Sequence, residues 1–306
     1  MAAAMSNILH DIKLPGATAC AQLGAIFRSC RFRLVSGNSL VFACGSPYAI
    51  SKTAAGGEID ALDPGGFGAL TITKAITLDG GGQVASVLVN GTPGIVVAAG
   101  VNDVVTIRNV RINGVNGDPN VTAGTNGIKF LSGKELHIEH CNIFGFSNAR
   151  IDIEPTAGGK IFIDDTISAD NSFAGLFVAA GAATSVDVYK SRFYANGIHG
   201  VWAKDNSNVS VTDSDSSGNR QEGFLAFAVS GTATINLTNS SGNNNPTAGV
   251  QAGGGGSVNG LVNVTGVSLN NNGTGFSVGA NGTIKSFGNN YNTGTGAPSP
   301  GLLPVQ

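Results

Sequence analysis

The chain has 306 residues, of which 46 are glycine and only 12% are charged. Average domains have about 7% glycine and about 25% charged residues, so this composition is unusual on both counts. With 17 basic and 19 acidic residues, the chain lacks the charge excess that a nucleic-acid or anionic-membrane partner requires. No apolar run approaches the roughly 20 residues of a membrane-spanning helix, and a hydrophobic content of 42% favours a packed core over disorder.

Residues 1–48 differ in composition from the rest of the chain. They contain three of the four cysteines, Cys20, Cys30 and Cys44, whose disulfide pairing stays open because spacing alone does not define it. No Cys-x-x-Cys pair occurs, so no structural metal site is predicted. We interpret this segment as a cap or as a disordered start, and it contains no clear signal peptide.

Regular structure is predicted from residue 49 to residue 293. A short capping helix is expected over residues 49–55, where Gly56 and Gly57 stop it. Alternating apolar residues then begin at Ile59 and predict β-strands. Residues 294–306, with three prolines, are expected to form a flexible C-terminal tail.

An internal repeat determines the predicted fold. Pairs of apolar residues two apart recur along the chain, and their second members are separated by 25, 25, 23, 26 and 27 residues. These second members are Ile138, Ile163, Val188, Val211, Leu237 and Val264. Short strands repeating at this period, with almost no helical pattern, predict an all-β fold in which one chain winds into a parallel β-solenoid of about nine coils.

A second marker keeps the same period. The pattern Asn-x-x-x-Gly-apolar begins at Asn171, Asn196, Asn219, Asn245 and Asn271. If equivalent residues stack from coil to coil, about 4.8 Å apart, these asparagines form a ladder. Their amides would then bond buried turn backbone, which otherwise costs about 1–3 kcal/mol per unsatisfied group.

The first strands carry a family signature. Gly57, Ile59, Leu62, Pro64, Gly65, Phe67, Leu70, Ile72, Lys74, Ile76, Leu78 and Gly80 fit its spacing. In this spacing the chain resembles bacterial right-handed parallel β-helix proteins of the pectin-lyase-like superfamily. The resemblance implies a right-handed helix in a secreted or cell-surface protein. The superfamily contains polysaccharide lyases, hydrolases, tailspikes and adhesins, so the fold does not define the activity.

One cluster of polar residues is a candidate catalytic site. Stacking places Glu139 beside Asp164, with Asp165 and Lys190 in the next column. If the protein is a lyase, the carboxylates would hold Ca²⁺ and Lys190 would act as base; if it is a glycoside hydrolase, two acids would suffice. The competing interpretation is that these outward charges simply face solvent. Apart from Ca²⁺ in the case of a lyase, no cofactor is predicted.

A second candidate surface is apolar. Phe177, Trp202 and Leu225 are predicted to point outward one above another, with Tyr194 close by. Such a stripe is typical of a sugar platform or of a protein interface, including contact with a second copy of the chain. We therefore expect a non-catalytic extracellular scaffold that binds polysaccharide or protein along its side. The alternatives are a carbohydrate-active enzyme and a purely structural or adhesive rod.

Overall fold

The computed structural model describes residues 31–34, 40–42 and 46–300. Most of the segment 1–48, including Cys20, Cys30 and Cys44, lies outside the described residues, as do residues 301–306. One short helix, α1 (Ser46–Lys52), precedes the regular coils and begins three residues earlier than predicted. Within the described ranges, no helix has the length and apolar character needed to cross a bilayer.

Short β-strands make up the rest of the regular structure. The first ten are β1 (Arg31–Leu34), β2 (Leu40–Phe42), β3 (Gly57–Ala61), β4 (Gly65–Gly66), β5 (Leu70–Ile72), β6 (Ile76–Asp79), β7 (Ala85–Leu88), β8 (Ile95–Ala98), β9 (Val104–Arg108) and β10 (Arg111–Asn113). The next ten are β11 (Ile128–Ser132), β12 (Glu135–Glu139), β13 (Asn142–Phe144), β14 (Ile151–Ile153), β15 (Gly159–Asp164), β16 (Ile167–Asn171), β17 (Leu176–Val178), β18 (Thr184–Tyr189), β19 (Arg192–Asn196) and β20 (Val201–Ala203). The last are β21 (Ser207–Thr212), β22 (Glu222–Ala228), β23 (Thr232–Thr238), β24 (Ala248–Gly254), β25 (Asn259–Thr265), β26 (Ser268–Leu269), β27 (Thr274–Val278), β28 (Gly282–Ser286) and β29 (Tyr291–Asn292).

These strands form three long sheets around one core. Sheet A has twelve strands in the order β2-β1-β3-β6-β9-β12-β15-β18-β21-β23-β25-β28, and only its first two pairings are antiparallel. Sheet B has six strands, β4-β7-β10-β13-β16-β19, and sheet C has nine, β5-β8-β11-β14-β17-β20-β22-β24-β27. Single bridges through Asp215 and Ser241 link β19 to the β26–β29 pair. The predicted parallel β-helix of about nine coils is confirmed.

Equivalent inward residues stack directly on one another in the core. In sheet A one column has no exposed surface and consists of Leu136, Ile161, Val186, Val209, Ile235 and Val262. Successive side chains of a strand alternate in direction, so the sequence neighbours of each column residue point outward. This explains the apolar-x-apolar repeat. Most of the column is β-branched, a side-chain shape that packs well on a pleated surface.

The turn between sheets A and B uses the same two positions in successive coils. Its first residue has left-handed dihedral angles at Asn109, His140, Asp165, Lys190, Asp213 and Asn239. Its second residue is small and buried, and the hydroxyl of Ser191 accepts the backbone N–H of Thr166 in the preceding coil at 3.1 Å. The same bond recurs along the file Cys141, Thr166, Ser191, Ser214 and Ser240.

A file of asparagines joins the coils at the turn between sheets B and C. The amide oxygen of Asn219 accepts the backbone and side-chain N–H groups of Asn196 at 3.1 and 2.8 Å. Asn245 accepts from Asn219 in the same way, at 2.9 and 3.2 Å. Asn171 is buried and in register with Asn196, but its amide donates to the carbonyl of Ala174 within its own turn.

The predicted assignment of Asn271 to this file is wrong. Asn272 extends the file, because its amide oxygen accepts the backbone N–H of Asn245 at 2.8 Å. Asn271 is exposed, has a φ of 53°, and bonds Asn244 instead. In this last coil only two residues separate the file asparagine from Gly275, so the three-residue gap of the earlier coils misplaces it by one.

Both ends of the solenoid are covered by chain. At the N-terminal end β1 pairs antiparallel with β3, Phe32 lying opposite Ala61. At the C-terminal end the N–H of Gly275 donates to the carbonyl of Thr295 at 2.7 Å, and the N–H of Ser299 donates to the carbonyl of Ile284 at 2.8 Å. Residues 294–300 therefore satisfy open backbone groups of the last coil, and the flexibility of the tail stays a prediction.

The one cysteine in the described part of the chain, Cys141, is buried and free. Burial raises the pKa of its thiol to about 12, and only the thiolate reacts readily with alkylating agents. We expect no labelling of Cys141 by iodoacetamide in the native protein at pH 8, and complete labelling in guanidinium chloride. Peptide mapping by mass spectrometry checks this, and rapid labelling of the native protein would contradict the burial of this column.

Candidate functional site

The structure brings the four predicted catalytic residues together where the strands β12, β15 and β18 end. We call this row of strand ends and the turn residues that follow them the edge of sheet A. Glu139 pairs with Asp164 in register, and the N–H of Asp165 bonds the carbonyl of Tyr189, one residue before Lys190. Asp165 and Lys190 occupy the left-handed turn position, with φ of 43° and 48°. Part of the residue choice in this column therefore reflects backbone geometry, since asparagine and aspartate tolerate left-handed angles better than most residues do.

The electrostatics of this cluster do not favour Lys190 as a base. The hydrogen bond and the charge interaction with Tyr189 raise the pKa of the exposed lysine amine, which keeps it protonated at neutral pH. An open groove of about 550 Å³ runs beside Lys190 and is also lined by Arg192, Asp213 and Asp215. Glu139 and the Asp164–Asp165 pair are not among its lining residues.

A cluster of three carboxylates elsewhere on sheet A has the spacing for a cation, but an arginine side chain already bonds two of them. Glu58, Asp60 and Asp79 place one oxygen each within 4.8 Å of one another. Arg108 bonds both Glu58 and Asp79 at 2.7 Å. The guanidinium is therefore already the partner of two of the three carboxylates. Calcium binding by the predicted residues of the sheet A edge stays a prediction.

Sheet C carries the predicted apolar stripe, with two corrections. Phe177, Trp202 and Leu225 are in register on adjacent strands and point outward. Leu225, however, is only 6% exposed and offers little surface. Tyr194 lies in β19 of sheet B, where Arg192 contacts its ring. The prediction that Tyr194 joins the stripe is wrong because the turn after Asn196 carries the chain onto another sheet.

Two residues that the sequence did not indicate complete an aromatic cluster on this surface. The ring centroid of Trp202 lies 4.9 Å from Phe177, 4.9 Å from His199 and 5.7 Å from Phe173. We call this outward cluster of Phe173, Phe177, His199 and Trp202 the aromatic face. Phe173 and His199 belong to turns, whose side-chain directions do not follow strand alternation, so the sequence pattern gave no signal for them.

A charged group borders the aromatic face on the strand next to Phe177. Asp152, in register with Phe177, is 1% exposed, and its Oδ2 accepts from Lys129 at 3.1 Å and from Asn126 at 2.8 Å. Lys129 also donates to Glu154 at 2.8 Å. Burial, followed by repulsion from Glu154, raises the pKa of Asp152 to about 6. Its Oδ1 is buried and has no hydrogen-bond partner.

A second buried pair lies at the other border of the face. Nδ1 of His199 is 2.6 Å from Oε2 of Glu222, and the two residues are 7% and 5% exposed. Glu222 is in register with Ala248 on the following strand. The indole N–H of Trp202, between the two borders, is buried without an acceptor. Nδ1 of His199 and Oε2 of Glu222 are both buried, and despite their short separation they do not have the alignment of a hydrogen bond.

The repeat provides an internal comparison for these residues. Of the positions equivalent to His199 and Glu222 in the other coils, three hold alanine, at Ala149, Ala174 and Ala248, and two hold uncharged polar residues, Asn126 and Thr274. A small residue is therefore sufficient for the turn, and the histidine–glutamate pair is not required by the fold. A buried ionisable pair usually costs stability compared with apolar residues, so its presence points to function.

The longest connection between strands forms a wall beside the aromatic face. It runs from residue 114 to residue 127, between β10 and β11. The amide of Asn116 in this loop donates to the hydroxyl of Ser172, next to Phe173, at 3.1 Å. Asn126, at its other end, reaches Asp152. These contacts place the loop along sheet C.

The raised pKa of Asp152 predicts how the free energy of unfolding depends on pH. An ordinary aspartate has a pKa of 3.8, against about 6 in the fold, so above pH 6 the folded state carries a penalty that disappears below about pH 4. We expect Asp152→Asn to raise the free energy of unfolding by about 1–3 kcal/mol at pH 7. The difference should vanish near pH 4. Urea titrations at both pH values check this, and equal effects at the two would contradict the assignment.

The family of the chain follows from comparison with known proteins. The model of the family described as "Right handed beta helix region" matches residues 93–265, more than half of the chain. The chain belongs to this family.

Among solved structures, the chain is similar to the A-module of the mannuronan C-5 epimerase AlgE6 from Azotobacter vinelandii. The sequence identity is 14%, over 85% of this chain and 94% of that chain, with a TM-score of 0.42. No curated protein matches the chain. At this identity no activity is carried over to this chain.

Proposed function

We propose that the protein is a non-catalytic scaffold that binds a polysaccharide along the aromatic face of sheet C. Such a role fits a protein that works at the cell surface or outside the cell. The main support is that half-buried rings of Phe173, Phe177 and Trp202 lie together on an outward surface. Sugar rings have apolar faces that pack on aromatic side chains, and their hydroxyl groups need hydrogen-bond partners.

Polar groups of the right kind lie beside these rings. Native structures leave few buried polar atoms unsatisfied, and each exception needs an explanation. Here the acceptor Oδ1 of Asp152 and the donor Nε1 of Trp202 are both buried without a partner. Hydroxyl groups of a bound sugar would satisfy both atoms once side chains beside them shift to expose them.

The test is affinity electrophoresis of the whole protein through gels that contain polysaccharides of different composition. We expect retardation by at least one polymer, and none for the double variant Phe177→Ala/Trp202→Ala with an unchanged circular dichroism spectrum. If the face instead joins two copies of the chain, sedimentation will show a wild-type dimer and a variant monomer. That result would replace the proposal.

A second candidate function, catalysis on the bound polymer, is favoured by the pair of His199 and Glu222. A carboxylate that orients an imidazole is a recurring arrangement in general acid–base catalysis. The scaffold proposal predicts no new reducing ends and no unsaturated products after long incubation with a bound polymer. Products that disappear in His199→Gln would establish an enzyme at this face, and products that disappear in Asp164→Asn would assign catalysis to the edge of sheet A.

A further inference from the structure

We propose that the aromatic face selects uncharged polysaccharides and rejects polymers of uronic acids. This inference rests on the proposed function, because it names the class of ligand that the face accepts. It follows from the charges that border the rings and from the partners those charges already have.

The outward column of sheet C contains a single base. The column runs through the register positions Thr71, Val96, Lys129, Asp152, Phe177, Trp202, Leu225, Gln251 and Ser277. Its one base, Lys129, is bonded to both Asp152 and Glu154, at 3.1 and 2.8 Å. A ligand carboxylate would therefore have to compete with two protein carboxylates for the same ammonium group.

Carboxylates lie on both borders of the rings. Asp152 and Glu154 form one border, and Glu222 beside His199 forms the other. Lys204, which follows β20, lies 3.9 Å from Asp205. A charged sugar placed between these groups would meet like charges on both sides, which disfavours its binding.

A neutral sugar meets no such penalty. The unpartnered acceptor of Asp152 suits a hydroxyl donor, whereas a carboxylate has no proton to give it. The unpartnered indole donor of Trp202 suits a hydroxyl oxygen. Both orphan atoms thus match sugar hydroxyl groups, which neutral and uronic acid units share, so the selection between the two classes rests on the border charges.

The test compares a uronic acid polymer with its carboxyl-reduced form, so that both ligands keep one backbone and differ only in charge. Polygalacturonate and alginate serve as parent polymers. We expect each reduced form to bind at least about tenfold more tightly than its parent in 20 mM salt. The border carboxylates of the protein repel the carboxylates of the parent polymer, and low salt screens this repulsion only weakly. Salt should strengthen binding of the parent polymers and leave binding of the reduced forms unchanged.

Two variants sharpen the test. Glu154→Gln removes one border charge and is expected to reduce the preference for the reduced polymer severalfold. Asp187→Asn, which removes an exposed carboxylate from β18 of sheet A, is the matched control and should not alter the preference.

Two failures are distinguishable. If folded protein binds neither the parents, the reduced forms nor other neutral glycans, the proposed function fails, and this inference fails with it. If the parent polymers bind as tightly as the reduced forms, or if their binding weakens with salt, the charge selection is overturned while the polysaccharide-binding role stands.

Discussion

Replacement of Asn219 by leucine is expected to lower the free energy of unfolding by about 2–4 kcal/mol. The amide oxygen of Asn219 accepts two bonds from Asn196, and its amide nitrogen donates to the carbonyl of Phe193 at 3.1 Å. Leucine has a similar size but leaves these buried groups unsatisfied, at about 1–3 kcal/mol for each. Urea denaturation followed by circular dichroism measures the loss.

Asn271→Gly is the matched control for this prediction. Asn271 is an exposed asparagine of the same repeat motif, one residue away from the asparagine that extends the file. Its φ of 53° suits glycine, so a change within about 0.5 kcal/mol is expected. Equal losses for Asn219→Leu and Asn271→Gly would show that the buried file does not have the stabilising role assigned to it.

Replacement of Trp202 by alanine is expected to weaken polysaccharide binding at least about tenfold, or 1.4 kcal/mol. The indole contacts Phe173, Phe177 and His199 and holds the centre of the aromatic face. Its removal deletes the largest flat surface available to a sugar and also loosens the two phenylalanine rings. Isothermal titration with the tightest polymer of the panel measures the affinity.

Tyr194→Ala and Trp202→Phe are the controls for that measurement. Tyr194 is an outward aromatic residue of the neighbouring sheet B, so its loss should leave the affinity unchanged. Trp202→Phe keeps a ring and should retain more affinity than Trp202→Ala. If Tyr194→Ala weakens binding as much as Trp202→Ala does, the ligand does not sit specifically on sheet C.

The fold was predictable because one physical constraint acts on every coil. Stacked strands require the same alternation at the same spacing, and this makes inward residues such as Val186 and Val209 visible in the sequence. The same register correctly aligned Phe177 with Trp202. Within strands, side-chain direction follows from alternation alone.

The repeat departs from its own pattern at one place in the core, and the sequence did not reveal this departure. Phe146 and Arg150 stand where the next coil has Asn171 and Gly175, and both are fully buried. The guanidinium of Arg150 lacks partners on both terminal nitrogens, and burial lowers its pKa to about 8. No local rule predicts an arginine inside a β-helix.

Contacts between neighbouring coils could not be predicted from the sequence either. His199 and Glu222 are 23 residues apart in the chain, and each would ordinarily be expected to be a solvated residue in or next to a turn. Only the stacking of one turn on the next brings Nδ1 and Oε2 to 2.6 Å. The burial of Asp152 could not be predicted for a similar reason, since an outward aspartate in a strand is normally exposed.

Trp202 is the only tryptophan of the chain and gives a direct reporter of the aromatic face. The most direct measurement is the fluorescence of the unmodified protein during titration with a polysaccharide that retards it in gels. Because the indole contacts the ligand in this account, a saturable change in intensity or wavelength is expected, with the same midpoint as binding measured by calorimetry. Tight binding that leaves the tryptophan emission unchanged would contradict the placement of the ligand on sheet C.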